Sequence, residues 1–306
     1  MTEAANKGSG AENDDERETI SEAVRQDPET TKGEPTQLDD QPRPLGQEAP
    51  EIIHDAAIIG GRRLHRPLFE SVITGLIGGM SVSFGAIALA WAAASAGGND
   101  DGVAHIAGAL AFPVGFVILL VGKSELFTED FFLPVTAVLE REGRLVELAR
   151  LWGVTLAFNL VGVLIFALLI SRPGVLSSGP TDVLIGIAER KVDYSLSTAF
   201  IKALFAGWLM TLLTWLIVAA EGFGAKLVIV WIVGSLIVLA EFNHVVISAS
   251  EMWIAMLSGG SMSTSEWFTA NFLPSLAGNI VGGVIFVTLL HYVQALAHIR
   301  SGDDNA

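Results

Sequence analysis

The chain has 306 residues, of which 51% are hydrophobic and 17% charged, with a mean hydropathy of +0.52 and a formal net charge of −15. That composition excludes a soluble domain and marks a polytopic α-helical membrane protein. The lack of cysteine excludes disulfides, thiolate metal sites and cysteine nucleophiles.

The charge is unevenly placed. Residues 1–60 hold 15 acids and 5 bases (−10), and the remainder holds 18 acids and 13 bases (−5). Residues 1–55 are rich in Glu, Asp, Gln, Pro, Thr and Gly and almost lack aromatics, which predicts a disordered acidic tail. The polar start also predicts no cleavable signal peptide.

Arg62, Arg63 and Arg66 stand just before a first span from about Leu68 to Ala94. Its Gly75, Gly78, Gly79, Ser83 and Gly85 allow close helix packing. A second apolar piece, Ile106 to Gly122, is broken by Lys123 to Asp130 and resumes from Phe131 to Leu139. A charged connector, Glu140 to Arg150, leads to a third span ending at Ile170, and a longer polar link leads to a fourth, from about Thr198 to Ala220. The fifth is again broken: Leu227 to Ala240, then Glu241-Phe242-Asn243-His244, then Val245 to Leu257. The sixth runs from about Trp267 to Leu290, and a short tail follows residue 298. A bilayer crossing needs about 20 apolar residues, so neither half of a broken span crosses alone.

Six spans put both termini on one side. That side carries Arg62, Arg63, Arg66, Arg141, Arg144, Arg150, Lys226 and Arg300, against Arg172, Arg190 and Lys191 on the other. The positive-inside rule therefore predicts an inner (plasma) membrane protein with cytoplasmic termini.

The third and sixth spans repeat. Leu156 to Phe166 matches Leu276 to Phe286 at seven of eleven positions, an offset of 276 − 156 = 120. The same offset sets Ser124 opposite His244 and Thr128 opposite Ser248. Three spans per half give the halves opposite orientation, an inverted repeat of residues 62–172 and 190–298 within one membrane domain, 62–298. Paired broken helices at matching positions point to a transport site.

Half-helices ending at the midplane leave N–H groups that attract anions. Thr128 and His244 would add side-chain donors, and His244 is placed to share a proton with a passing weak acid or to hold the break together. Lys123 is expected to pair with a nearby carboxylate, since Glu125, Glu129, Asp130 and Glu241 cannot face lipid. Lys191 either draws anions into a vestibule or anchors a helix end. No metal triad, Ser/His/Asp set or phosphate loop appears at usable spacing, so no enzyme, metal or cofactor is predicted.

Gly122-Lys123-Ser124-Glu125-Leu126-Phe127-Thr128, Phe242-Asn243-His244 and Leu273-Pro274-Ser275-Leu276-Ala277-Gly278-Asn279-Ile280-Val281-Gly282-Gly283 resemble the motifs of the formate/nitrite transporter family. The likeness covers about residues 62–295. It implies an all-α membrane fold of six transmembrane helices, aquaporin-like, with broken second and fifth helices. It also implies a homopentamer in the lipid bilayer with one pore per protomer, and passage of a small monovalent anion or its neutral acid, often with a proton. Thr128 and His244 fall on the family's central threonine and histidine, Lys191 on its vestibule lysine and Phe112 on a constriction aromatic. Ile237 stands where the second constriction phenylalanine is expected, Gly207 and Ser248 where pore asparagines are, and Asn243 where a glutamate precedes the histidine. The rival expectations are a membrane scaffold or sensor whose tail binds a partner, and a pore for another small solute. Nothing points to nucleic acid.

Overall fold

A computed structural model describes residues 47–99 and 102–303, with side chains to residue 298. The tail expectation for residues 1–46 lies outside them. The described chain is helical: α1 (Ala49–Leu64), α2 (Leu68–Ser95), α3 (Gly102–Ala111), α4 (Val114–Gly122), a 3-10 turn (Phe127–Phe131), α5 (Leu133–Leu139), α6 (Leu145–Ile170), α7 (Ser178–Val192), α8 (Leu196–Ala219), α9 (Phe223–Leu239), α10 (Val245–Leu257) and α11 (Thr264–His298). Five stretches, α2, Gly102–Gly122 (α3 with α4), α6, α8 and α11, are long and apolar enough to cross a membrane, and α9 and α10 are shorter apolar helices. The expected plan of six spans with the second and fifth broken therefore stands.

Two elements correct the sequence reading. Residues 49–55, assigned to the disordered tail, form the first turns of α1. Ile52, Ile53, Ala56, Ala57, Gly60 and Leu64 bury one face of it, and Gly60 lies so close to the Leu133 carbonyl that a Cβ would sit 1.9 Å from its oxygen. The polar link before the fourth span holds α7, whose Pro180, Val183, Leu184, Ala188 and Lys191 are buried at helical spacing.

The two halves of the fold are built alike. Helix α2 pairs with α6, and α8 with α11, at backbone contact. A Cβ on Gly79 would lie 2.0 Å from the Asn159 carbonyl oxygen, and one on Gly207 2.2 Å from that of Asn279. The reciprocal contacts are Gly162 on Leu76 and Gly282 on Leu204, at 2.2 and 2.0 Å. Only glycine permits such approach.

That approach lets one asparagine per half hold each break. Asn159 accepts from Phe127 N–H (2.9 Å) and donates to the carbonyls of Gly75 (2.7 Å) and Glu125 (2.9 Å). Asn279 accepts from Val245 N–H (2.9 Å) and donates to the carbonyls of Ala203 (2.7 Å) and Asn243 (3.1 Å). Backbone polar groups at membrane depth must find protein partners, and these side chains supply them.

The same bonds correct the register of the breaks. They match Glu125 with Asn243 and Phe127 with Val245, an offset of 243 − 125 = 118 rather than 120. Left-handed residues agree: Lys123 (φ 55°) and Glu241 (φ 52°) begin the two breaks. Leu126, not Ser124, therefore stands opposite His244, and Thr128 opposite Val246. The chain between break and asparagine is two residues longer in the second half, so the offset of the α6/α11 repeat does not carry into the breaks.

Replacing Asn159 or Asn279 by leucine orphans three backbone groups at once. At about 1–3 kcal/mol per unsatisfied buried group, either variant is expected to lose about 3 kcal/mol or more, read as a lowered unfolding midpoint in detergent. An unchanged midpoint would show that these bonds do not hold the breaks.

Candidate transport site

The two breaks meet at Thr128 and His244. Thr128 is the second residue of the 3-10 turn, His244 caps α10, and both are fully buried. Thr128 Oγ1 lies 2.8 Å from His244 Nε2. Nδ1 of His244 accepts from the backbone N–H groups of Val246 (3.2 Å) and Ile247 (3.3 Å). Acceptance there fixes the neutral tautomer with its proton on Nε2, so Nε2–H donates to Thr128. The hydroxyl proton of Thr128 is then free to point elsewhere.

This cap corrects the expected source of anion attraction. The first N–H groups of α10 are consumed inside the protein, Val245 by Asn279 and Val246 and Ile247 by His244. Unpaired N–H groups at this helix start would attract an anion; capped ones do so weakly.

Lys191 ends α7 and is buried with the break rather than lying in an open link. Its Nζ donates to Ser248 Oγ (3.0 Å) and forms an ion pair with Glu251. Ser248 in turn donates to Asn243 Oδ1 (2.7 Å), which also accepts from Asn271 Nδ2 (3.0 Å). Thus Lys191, Ser248, Thr128 and His244 belong to one buried polar region along α10. Sequence reading passed over Glu251, although His244, Ser248 and Glu251 are spaced i, i+4, i+7 and so share one helix face.

Cavities open toward this region from opposite ends of the spans. The one on the side away from the paired ends of the described chain at Glu48 and His298, termed outer for that position, is about 70 Å³ and is bounded by Leu89 and Ala93 from the end of α2, His105 from α3, Lys191, Ile237 and Glu251. The inner one, about 540 Å³, is bounded by Arg66 before α2, Phe116 and Leu119 from α4, Met210 from α8 and Lys226 from α9. Ile237 stands on the wall of the outer cavity, and Phe112 is fully buried at the α3–α4 junction with its ring edge-on to Phe116 of the inner cavity. Gly207 is not brought to either cavity. Its backbone is pressed against Asn279, which leaves no room for the side chain expected there.

The acids of the first break are paired, but not with Lys123. Arg63 of α1 reaches Glu125 (3.0 Å), Glu129 (3.3 Å) and Asp130 (3.0 Å), and Arg66 chelates Glu125 through two bonds of 2.8 Å. Lys123 is exposed and has no carboxylate within ion-pair distance among the described residues. It begins the break in the left-handed conformation, whereas α1 lays Arg63 across the three acids. Burial alone would lower the Arg63 pKa, yet the surrounding carboxylates raise it and hold the guanidinium charged. At the outer end, Glu241 meets Lys202 (3.4 Å) and Tyr194 (3.3 Å). Burial, and then the Glu241 charge, push the Tyr194 phenol up to about 12.

The sequence matches the family described as formate/nitrite transporter over residues 50–293. The uncharacterized transporter YrhG of Bacillus subtilis is 28% identical, over 80% of this chain and 92% of its own. A probable formate transporter of Methanothermobacter thermautotrophicus is also 28% identical, over 75% and 90%. A solved pentameric formate channel with formate bound has the same fold, with a TM-score of 0.63 and 21% identity over 75% of this chain and 98% of that one.

The arginine clamp separates neighbouring residues by role. Arg63→Gln leaves buried carboxylates without their partner, a loss of about 3–5 kcal/mol. Arg62→Gln, one residue away on the exposed side, is expected to stay within about 0.5 kcal/mol. Equal melting curves for the two variants would refute the clamp.

Proposed function

Because the chain belongs to the formate/nitrite transporter family, we propose that it is a transmembrane channel or transporter for small monovalent anions of weak acids, formate and nitrite among them. The observation that carries this reading is the pair of cavities at opposite ends of an inverted repeat, separated by an apolar constriction beside two buried hydrogen-bonding side chains. The path runs from the outer cavity past Lys191, Ile237 and Phe112 to Thr128 and His244, and on to the inner cavity. Ser248 acts through Lys191, and Gly207 acts by letting α11 close on α8. The assembly is a homopentamer, as in the solved formate channel of the same fold. Exposed apolar side chains such as Phe69, Leu145, Val146 and Ile232 suit a lipid or subunit-facing surface. The inner cavity gathers Arg62, Arg63, Arg66, Lys123 and Lys226, which supports a cytoplasmic orientation for that end and for both termini.

Carrying an ion through apolar rings costs several kcal/mol, while its conjugate acid crosses far more cheaply. The substrate therefore crosses the constriction as the neutral acid. Thr128 meets it there. Its oxygen is held by His244 Nε2–H, so its own proton is directed to a substrate oxygen. His244 is the positioning residue in this scheme, since Nδ1 already caps α10 and cannot take a proton without surrendering two backbone bonds.

Thr128→Val keeps the shape and removes the donor. Loss of one such neutral bond, about 0.5–1.5 kcal/mol, is expected to slow formate uptake into liposomes about twofold to tenfold, with Thr128→Ser largely restoring it. Valine at wild-type rate would remove Thr128 from the path.

A further inference from the structure

We propose that Glu251 is the proton-carrying residue of the outer cavity and that Lys191 is its switchable partner. This rests on the transport reading above and names how a proton joins the anion. Both side chains are almost fully buried, at 3% and 6% exposure, yet both line the outer cavity beside Ile237 and Ile247, where the apolar constriction begins. They form an ion pair with each other, and Lys191 also holds Ser248. A buried ion pair contributes little over an apolar pair of the same size, so stability gives it no role. Its place on the cavity wall does.

While Glu251 is ionised, it compensates the Lys191 charge, and the fixed cation left to an arriving anion on the cavity wall is Arg190. When Glu251 takes a proton from cavity water, Lys191 is released to hold an anion. The cavity floor then carries one proton and one anion together, with no change in net charge. The O–H bond of the Glu251 carboxyl breaks, and a new O–H bond forms on the anion. The neutral acid moves on past Ile237, and the regenerated carboxylate pairs again with Lys191. Charge and atoms balance, and no other reactant is needed.

The other groups facing the cavity do not offer this. Arg190 and Lys191 come from α7, Tyr194 follows it, His105 comes from α3 and Glu241 from the break. Glu241 is tied to Lys202 and Tyr194, and His105 bonds the Leu239 carbonyl (3.1 Å). Arg190 remains charged throughout. On the same helix, His244 has Nδ1 committed to the cap. Helix α2 contributes only Leu89 and Ala93 to this cavity, and α6 and α11 contribute no lining residue among those described.

The test uses the full chain in liposomes, with labelled formate and nitrite, a luminal pH dye and an imposed membrane potential, corrected by protein-free liposomes. Wild type is expected to take up anion faster as external pH falls, by up to about tenfold per unit for one proton. Its lumen should acidify in step, with little response to potential. Glu251→Gln leaves Lys191 charged. Its acid stimulation should fall below about twofold per unit, and its residual uptake should follow the potential without acidifying the lumen. Glu251→Gln with the wild-type pH slope and lumen acidification overturns the proposal, because the proton then comes from elsewhere. If that variant does not assemble, Lys191→Gln/Glu251→Gln, which removes both charges, must lose the same stimulation. Wild-type uptake that tracks potential without acidification overturns the proposal with no variant at all. Wild type that moves neither anion at any pH removes the transport reading itself, a failure distinct from the others.

Discussion

Everything in this fold depends on one requirement: a chain broken at membrane depth must still bond every backbone N–H and C=O. The breaks around residues 123–127 and 241–245 meet it in the same way. A side-chain amide from a neighbouring long helix bonds one N–H and one carbonyl of the break, and a further carbonyl on the first helix of that half. The amide reaches them only because glycine brings the helices to backbone contact. Small residues, asparagine and break are thus one device used twice.

Much of this was legible in the sequence because its causes are local. Span number follows from apolar length, and the broken second and fifth spans from polar interruptions. The repeat follows from Asn and Gly recurring in α6 and α11. The register of the breaks was not legible, because the chain linking break to asparagine differs by two residues between halves and no residue inside the breaks repeats. The helicity of residues 49–55 was masked by the acidic stretch before them. The partners of Glu125, Glu129 and Asp130 were hidden for another reason. Arg63 and Arg66 read as topological charges before a span, and only their three-dimensional return to the first break reveals a second use. Glu251 was hidden inside an apolar run, where its spacing from His244 was the available signal.

The charges divide into those that build the pore and those that border it. At the inner end, the three acids of the first break are paired with Arg63 and Arg66, leaving Arg62, Lys123 and Lys226 as inner-cavity cations without a carboxylate at ion-pair distance among the described residues. At the outer end, Lys191 and Lys202 are matched by Glu251 and Glu241, so the narrow cavity is close to charge balance apart from Arg190. A wide positive cavity and a narrow balanced one treat an anion differently. The first concentrates it by the field, whereas the second admits it only when the local balance changes.

Rigidity follows the same division. His244, Asn159 and Asn279 are fully buried and each fixed by three hydrogen bonds, so moving any of them breaks several bonds together, and Thr128, also fully buried, is held by His244. Phe112 and Ile237 are held by packing alone, and rotamer changes of such side chains cost far less than orphaning buried polar groups. On the transport path proposed above, opening of the passage falls to the apolar side chains, with the polar breaks as the fixed frame. The division suits a small substrate. A neutral acid needs only a transient gap between two side chains, and it needs that gap beside a donor whose position has not changed.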